Sequence, residues 1–437
     1  MSQEVDILNM EWSHKGRDME MVLPIRFYCE KVLGLTWQSA SIFDYYALYK
    51  YKPRLLFLTN STGAEVNYNL VKYAKGLGLP VITLTSEGNF KNHILDQMIW
   101  GWNIDRVLYE DIWCVWSEKT KNMVLNKHPQ LEGRVRVSGA VGHDKYKLLR
   151  FMSKEEICAK YEKYGYKKII GYAGWIFDGL HYEDGKRKIV EVYGKEIAGI
   201  LEQEEKKVNI ILKDIIKNNQ DILFIIKKHP GEIGTRSEMT GLNNYGNAIV
   251  LKNEEAIGDL INVSDIWMNY DSSTMLEAWS LGKPTININP SIVDFTRDEN
   301  YKGSIVVYSL LELQKMIDEY YGTGQIKAFE EKQAERKRII KDTIQWDDGK
   351  NHIRVANFIK ELLDKSKDVY YARPELKVYV KHCIYVLSKY LPVFVQKLPK
   401  IRNYSHIHEK FNCEELKKNV DRYFHDLTAF YAKEGIN

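Results

Sequence analysis

Residues 264–286 read SDIWMNYDSSTMLEAWSLGKPTI, a stretch that contains a strand, a polar turn, a helix and a second strand in that order. The short apolar run Ile266–Asn269 is typical of a buried strand. The polar residues 271–274 favour the start of a helix, and Gly282 and Pro284 end that helix and open the next strand. Such a unit predicts a parallel sheet covered by helices.

The same alternation of strands and helices extends along most of the chain. Apolar runs predict strands at 5–10, 54–59 and 80–85, with helices at 17–33 and 64–75, and RVRVSGAVGHD at 134–144 predicts the last strand of this series and its exit. A second series predicts strands at 168–173, 221–227, 248–252 and 284–288, with helices at 200–218, 255–264 and 273–281. Two such series predict an α/β protein of two Rossmann-like domains that face a cleft. We place the first domain at 1–150, the second at 160–345, and a basic helical extension that packs back on the first domain at 346–437.

The composition fits a folded protein and excludes several other classes. The 437 residues are enough for two hydrophobic cores, and 44% hydrophobic with 28% charged residues excludes a disordered chain. A formal net charge of +4 is too small to indicate a nucleic-acid partner. The five cysteines form no C-x-x-C pair, and the chain shows neither a signal pattern nor an apolar run that could span a membrane. We therefore expect a protein of the reducing cytoplasm.

The strongest local signal is the sequence DILFIIKKHPG at residues 221–231. A buried strand here brings Lys227, Lys228 and His229 to its carboxyl end, the edge where open α/β sheets bind ligands. Pro230 fixes the direction of the backbone after the histidine. An imidazole at this place is suited to bind or protonate a phosphate leaving group, and a lysine to neutralise its charge. A surface histidine at the end of a strand is the structural alternative.

Three hydroxyl residues, Ser272, Ser273 and Thr274, stand where the predicted helix at 273–281 begins. Hydroxyl side chains and the free backbone amides of a helix start together form an anion site. Glu277 lies one turn further along and is placed to accept hydrogen bonds from sugar hydroxyls such as those of a ribose. An ordinary helix cap is the alternative interpretation of the three hydroxyl residues.

In the first domain, PVITLTSEGNF at 80–90 ends a predicted strand with Ser86, Glu87 and Gly88. A carboxylate at this exit faces the expected cleft, and it acts as a general base if partial burial raises its pKa toward neutrality. Gly88 permits close approach of a ligand or an unusual turn. A second Lys-His-Pro at 127–129 follows a helical stretch, so we assign it to a helix terminus.

The segment 376–410 combines basic and apolar residues. It holds seven lysines and arginines and a single acid, Glu409, and Pro392 and Pro399 divide it into short pieces. One interpretation is a segment that lies on anionic lipid at the inner face of the cell membrane. The other is a solvated basic face on a helical appendage.

The chain carries three motifs in order: an acid followed by Gly, His-Pro after a strand, and a Ser/Thr group at a helix start. In this order they resemble the motifs of the bacterial sialyltransferases and capsule Kdo transferases of the GT-B fold. Those families carry an acidic pair before Gly, then His-Pro, then a Ser/Thr pair. The matching residues are Glu87-Gly88, His229-Pro230 and Ser272-Ser273-Thr274, and Ser86 stands in the place of the first acid. The resemblance covers residues 80–290.

The resemblance implies a glycosyltransferase of surface carbohydrate synthesis whose donor is a CMP-activated nonulosonic acid, such as sialic, legionaminic or pseudaminic acid or Kdo. It implies that Glu87 deprotonates a hydroxyl of a glycan or lipid-linked acceptor. It also implies that His229-Pro230 and residues 272–274 hold the CMP phosphate, and that Lys227 or Lys228, together with Glu277, binds the nucleotide. His229 contacts the phosphate, and whether it also protonates it stays open. Because a monophosphate carries less charge than a diphosphate, cations and a helix start replace a metal ion, and no metal or other cofactor is expected.

CDP-glycerol-type polyol-phosphate transferases of teichoic acid synthesis also resemble this chain, through a strand-to-His-Pro step and an Asp-Tyr-Ser-Ser element. Here that element reads Asn269-Tyr270-Asp271-Ser272-Ser273, with Asp and Tyr interchanged. A UDP-sugar 2-epimerase or UDP-sugar transferase with the same two-domain plan is a more distant alternative. Ser86 in place of an acid also leaves open a non-catalytic, sugar-nucleotide-binding subunit of a polysaccharide assembly.

Overall fold

The computed structural model describes residues 4–13, 16–232, 234, 236–291, 299–367, 369–388 and 413–435. The chain divides into two compact units. Unit 1 consists of residues 1–149 together with 341–437, and unit 2 consists of residues 150–340. Residues 389–410 of the basic segment lie outside the described residues, as does His14.

Unit 1 is built on a six-stranded parallel sheet with the order β2-β1-β3-β4-β5-β6. Its strands are β1 (Ile7–Glu11), β2 (Trp37–Ser41), β3 (Leu55–Leu58), β4 (Val81–Thr83), β5 (Ile112–Val115) and β6 (Val135–Val137). Continuous apolar strands such as β3, LLFL, form because helices cover both faces of a parallel sheet. The chain passes from β1 to β2 on one side and to β3 on the other, which creates a switch point between β1 and β3.

The helices of unit 1 that precede residue 150 connect and cover these strands. They are α1 (Arg17–Lys31), α2 (Tyr46–Tyr51), α3 (Glu65–Gly76), α4 (Leu95–Trp100), α5 (Glu118–Lys127) and α6 (Lys145–Leu148). Helix α5 ends at Lys127, so the Lys-His-Pro at 127–129 marks a helix terminus as predicted.

Unit 2 contains a second six-stranded parallel sheet, with the order β12-β11-β10-β7-β8-β9. Its strands are β7 (Lys168–Ala173), β8 (Ile222–Lys227), β9 (Ala248–Leu251), β10 (Ile266–Asn269), β11 (Thr285–Ile288) and β12 (Ile305–Val307). The chain starts at β7, adds β8 and β9 on one side and then β10 to β12 on the other. This is the strand order of the Rossmann fold, with its switch point between β7 and β10.

The helices of unit 2 lie between and after these strands. They are α7 (Lys154–Lys160), α8 (Glu183–Tyr193), α9 (Lys195–Asn218), α10 (Ile257–Val263), α11 (Thr274–Ser280), α12 (Asn300–Gly303), α13 (Leu310–Thr323), α14 (Lys327–Glu330) and α15 (Gln333–Ile344). Helix α15 carries the chain from unit 2 back into unit 1.

Three C-terminal helices belong to unit 1: α16 (Asn351–Lys365), α17 (Leu376–Ser388) and α18 (Cys413–Glu434). Helices α16 and α18 pack on α1, and apolar residues of α1, α16 and α18 share one buried core. No helix among the described residues combines the length and apolar character that crossing a bilayer requires.

The predicted α/β fold of two Rossmann-like domains with a helical C-terminal extension is confirmed. The strand predicted at 266–269 matches β10 residue for residue, and those at 221–227 and 248–252 match β8 and β9 within one residue. Three strands were not predicted, namely β2, β5 and β12. Strand β2 reads WQSAS, and its three central residues are only partly buried, so it carries no apolar run.

Candidate functional site

The carboxyl ends of β8, β7 and β10 lie side by side at one edge of the sheet of unit 2. Lys227, Ala173 and Asn269, the last residues of these strands, are in register. Since β8 and β10 are two sheet positions apart, their ends are separated by about 10 Å. His229 follows β8 and Ser272 follows β10, so the structure brings the His-Pro and Ser-Ser-Thr motifs to the same edge, beside the switch point.

The ring of His229 is held by the turn that follows it. The backbone N–H of Gly231 donates a hydrogen bond of 3.1 Å to Nδ1 of His229, and the N–H of Glu232 donates one of 3.0 Å to the carbonyl of His229. Because Nδ1 accepts, the proton of the neutral ring is on Nε2. His229 is partly exposed at the edge of the sheet.

The two lysines before His229 differ in their surroundings. Lys227 is buried, and burial lowers the pKa of its ammonium group. Lys228 is half-buried, and its Nζ lies 3.9 Å from Oε2 of Glu232, whose own pKa is raised by burial. The turn is further fixed by Lys252, whose ammonium group donates to the carbonyl of Glu232. Three lysines therefore lie near the His-Pro turn: Lys227 and Lys228 at the end of β8, and Lys252 after β9.

A hydrogen-bonded chain orders the hydroxyl residues after β10. The buried indole N–H of Trp267 donates to Oγ1 of Thr274 at 2.9 Å, and the Thr274 hydroxyl donates to Oγ of Ser272 at 3.0 Å. The backbone N–H of Thr274 also donates to Ser272 Oγ at 3.3 Å. Ser272 Oγ accepts both of these hydrogen bonds, so its own O–H does not point at Thr274 and can donate a hydrogen bond in another direction.

The helix start itself differs from the prediction. The cap position of α11 is Ser273, whose backbone is helical and whose side chain makes no capping hydrogen bond, so Ser272 rather than Ser273 binds the first turn. Ser273 is exposed, and Glu277 lies in the first turn of α11 with a partly exposed side chain. Asp271, just before them, has a φ of 49°, a left-handed conformation in which a non-glycine residue is strained.

In unit 1, Glu87 lines a cavity of about 350 Å³ together with Arg17, Asn60, Ser86 and Trp113. Both terminal nitrogens of Arg17 donate to Oε1 of Glu87 at 3.0 Å. The partial burial expected for Glu87 is not found, because its side chain is 75% exposed. Ser86, which stands where the resembling families have an acid, is buried and accepts a hydrogen bond of 3.0 Å from Asn60.

The role expected for Gly88 also changes in the structure. A Cβ atom at position 88 would lie 2.3 Å from Cγ of Trp116, and the φ of Gly88 is not positive. Gly88 is therefore required for packing against the Trp116 indole rather than for an unusual turn.

Two acids that the sequence analysis did not single out lie at the same edge of unit 1. Glu11, the last residue of β1, is buried at the switch point and accepts hydrogen bonds from the Thr59 backbone at 2.9 Å and the Thr59 hydroxyl at 2.7 Å. Burial, together with the charge of Asp18, raises the pKa of Glu11 to about 8. Burial also raises the pKa of Asp18, which interacts electrostatically with Arg17 and Glu87. For Glu11, the available signal was its position at the carboxyl end of the strand predicted at 5–10. The same criterion, a polar residue at the carboxyl end of a strand, selected His229.

A further buried acid supports the loop after β7 in unit 2. Glu238 accepts hydrogen bonds from the Trp175 backbone at 2.9 Å and the Tyr172 hydroxyl at 3.3 Å, and burial raises its pKa to about 8. A Cβ atom at Gly174 would lie 2.6 Å from the Met239 methyl group and 3.1 Å from a Glu238 oxygen, so a glycine lets this loop close over the acid. Nothing in the local sequence indicates this contact across 63 residues.

The described residues contain no group of three or more His, Cys, Asp or Glu side chains arranged to hold a metal ion. His181, which by residue type suggests a metal ligand, instead pairs with the buried Glu205 at 2.8 Å.

No family model matches the chain, and no curated protein matches its sequence. Solved structures, however, match its fold over most of their length. UDP-GlcNAc 2-epimerase from Neisseria meningitidis, solved with UDP-GlcNAc bound, has a TM-score of 0.52 at 13% identity, with 83% of this chain and 100% of that chain aligned. MnaA from S. aureus, solved with UDP, has a TM-score of 0.52 at 12% identity over 85% of this chain and 99% of that chain.

The wall teichoic acid polymerase TagF is also similar, with a TM-score of 0.51 at 14% identity over 82% of this chain and 89% of that chain. The fold is of the GT-B type. Identities of this size establish the fold alone, because one fold serves several chemistries.

Proposed function

We propose that this chain is a GT-B glycosyltransferase that moves a nonulosonic acid from a CMP-activated donor to a hydroxyl of a surface glycan or glycoconjugate. The observation that carries the proposal is the register of Lys227, Ala173 and Asn269. This register places the His229 turn and the Ser272 turn at one edge of a Rossmann sheet, beside its switch point, where such sheets bind nucleotides. The choice of CMP and of a nonulosonic acid comes from the motif resemblance.

In this proposal the donor phosphate lies between the two turns of unit 2. The Nε2–H of His229 and the Ser272 hydroxyl donate hydrogen bonds to its oxygens, while Lys227 and Lys228 supply positive charge nearby. Ser273 and Thr274 complete the hydroxyl group at the helix start, and Glu277 accepts hydrogen bonds from the ribose. Donors fixed in advance stabilise the charge that develops on the departing CMP without reorganisation.

In the transfer step, the acceptor oxygen forms a bond to the anomeric carbon of the sugar as the bond from that carbon to the CMP phosphate breaks. Following the resemblance, the acceptor proton passes to Glu87, which Arg17 hydrogen-bonds and which is exposed rather than partly buried, and CMP leaves as a phosphate monoester. His229 stabilises this leaving group as a hydrogen-bond donor. It cannot also act as an acid unless Nδ1 gains a proton and gives up the bond from Gly231.

We propose further that no metal ion takes part. A phosphate monoester carries less charge than a diphosphate, and the donors of the two turns are of the kind that neutralise it. The same turns also suit the phosphate of a CDP-polyol donor, so the nucleotide must be decided by experiment.

A ligand panel in thermal unfolding, with EDTA present throughout, tests the proposal. Because a ligand that binds only the folded state raises the melting temperature, CMP should raise it clearly and UDP much less. Equal shifts with CMP and UDP, or no shift with CMP, would contradict the CMP assignment. A shift with CDP but not with CMP would favour a polyol-phosphate donor, and binding of CMP without any transfer from CMP-sialic acid, CMP-Kdo and related donors would favour a non-catalytic subunit.

A further inference from the structure

Helix α17 presents two different faces. Its inner face packs on unit 1, where the His382 ring stacks on Tyr46 at 4.3 Å and Nδ1 of His382 lies 2.9 Å from an oxygen of Asp44. Val378, on the same side of the helix, is buried. These contacts fix the rotation of α17 about its axis and thus decide which residues face away from unit 1.

The opposite, outer face of α17 is apolar and exposed. Leu376, Val380, Ile384 and Leu387 retain 77%, 46%, 43% and 60% of their accessible surface. Their spacing of four, four and three residues places them in one row along the helix. Single exposed apolar residues are ordinary on protein surfaces, but a continuous row along a helix marks an interaction surface.

Positive charge borders this row. Lys377 and Lys381 are exposed and lie next to it on one flank of the helix, and residues 376–388 contain no acid. A row of apolar side chains bordered by lysines is the pattern of a helix that lies in the interface of an anionic bilayer. With 13 residues, α17 is about 20 Å long, which is too short to span a bilayer but sufficient to lie along its surface.

We infer that the outer face of α17 (Leu376, Val380, Ile384 and Leu387, with Lys377 and Lys381) docks on the surface of an anionic lipid bilayer. The apolar row inserts among the acyl chains nearest the headgroups, and the lysines meet the lipid phosphates. Charge favours lipid over a second copy of the chain. A symmetric pair of α17 helices would bring four lysines together with no acid in either helix to pair with them. The inference does not depend on which donor the enzyme uses.

Sedimentation of the full-length chain with phosphatidylcholine vesicles, with and without phosphatidylglycerol, tests this inference. We expect the chain to sediment only with the vesicles that contain phosphatidylglycerol, and salt should release it, because lysines bind an anionic surface electrostatically. The double variant Lys377→Glu, Lys381→Glu should lower the apparent affinity about tenfold or more. The triple variant Val380→Ser, Ile384→Ser, Leu387→Ser should abolish binding because it removes the apolar side chains that insert into the bilayer, while the lysines remain.

The matched control is Leu311→Ser, which removes an apolar side chain that is 81% exposed but belongs to unit 2. It should sediment like the unchanged chain, and all variants should keep their thermal unfolding because the altered side chains are exposed. The inference is overturned if the unchanged chain stays in the supernatant, or if either α17 variant binds as the unchanged chain does. It is also overturned if ultracentrifugation without lipid shows a dimer that the triple variant dissociates, since the outer face then contacts a second copy.

Discussion

At the scale of single residues, one hydrogen bond decides what His229 can do. Gly231 donates to Nδ1, so the neutral ring donates from Nε2 and has no second proton to give. The sequence leaves open whether this histidine only contacts the phosphate or also protonates it. The geometry favours contact alone. This can be tested by a substitution that keeps a hydrogen-bond donor at the position of Nε2 but cannot give up a proton to the phosphate.

Glutamine places an amide N–H near the position of the imidazole Nε2, whereas alanine removes the donor. We expect His229→Ala to lower kcat about 100-fold to 1,000-fold, as the loss of a fixed donor to a developing charge does, and also to weaken CMP binding. His229→Gln should stay within about tenfold of the unchanged enzyme. His128→Gln, in the other Lys-His-Pro, is the control and should leave transfer unchanged. Equal losses for glutamine and alanine at 229 would mean that the ring donates a proton.

In the proposed mechanism, Glu87 takes the proton of the acceptor hydroxyl and does not bind the nucleotide. Glu87→Ala should therefore abolish transfer while leaving the shift in melting temperature that CMP induces unchanged, because the proton acceptor is lost and the phosphate donors are not. The exposed side chain makes a folding defect unexpected. Full turnover in Glu87→Ala would refute the base assignment and direct attention to Asp18, which lies electrostatically close to Glu87.

The buried Glu11 makes stability depend on pH. Its pKa is about 8 in the folded chain against an ordinary value of 4.5, so the folded state holds a proton that the unfolded state loses. The free energy of unfolding should thus fall as the pH rises from about 4.5 to about 8. Glu11→Gln should reduce this fall in urea titrations at several pH values. An identical pH dependence in Glu11→Gln and the unchanged chain would contradict the assignment.

At the scale of elements, the sequence was informative where a strand is buried on both faces. Strand β8, ILFIIK, is buried at every residue, and its apolar run is continuous. Strand β5, IWCV, is buried too, but it lies in a stretch rich in tryptophan whose pattern does not separate strand from helix. The hydrogen bonds of the buried Glu11 and Glu238 were not predictable, because their partners lie 48 and 63 residues away in the sequence.

The turn between β10 and α11 depends on Thr274 as an acceptor for the buried Trp267 indole. Thr274→Val keeps the shape of the side chain but leaves that N–H without an acceptor, so it should lower the free energy of unfolding by about 1–3 kcal/mol. Thr274→Ser keeps the hydroxyl and should cost less. Ser273→Ala, at an exposed side chain with no capping bond, should have little effect. Urea denaturation checks this order, and equal stability of the valine and serine variants would count against it.

At the scale of the whole molecule, the C-terminal helices complete unit 1 through a buried polar chain. His352 on α16 hydrogen-bonds through Nδ1 to Asp144 at 2.8 Å, and its Nε2 lies 2.6 Å from the hydroxyl of Tyr431 on α18. All three side chains are buried. A helical C-terminal region is expected from composition alone, but no local pattern indicates hydrogen bonds that join residues 208 and 79 positions apart.

Tyr431→Phe therefore tests whether this polar chain holds α18 in place. The phenylalanine ring fits the same core, but it leaves Nε2 of the buried His352 without its hydrogen-bond partner, at a cost of about 1–3 kcal/mol. Tyr370→Phe, at a side chain that is 88% exposed, is the matched control. We expect a lower urea midpoint and faster amide exchange in α18 for Tyr431→Phe only. If both variants unfold at the same urea concentration, the core contacts of α18 with α1 hold the helix without the hydrogen bond.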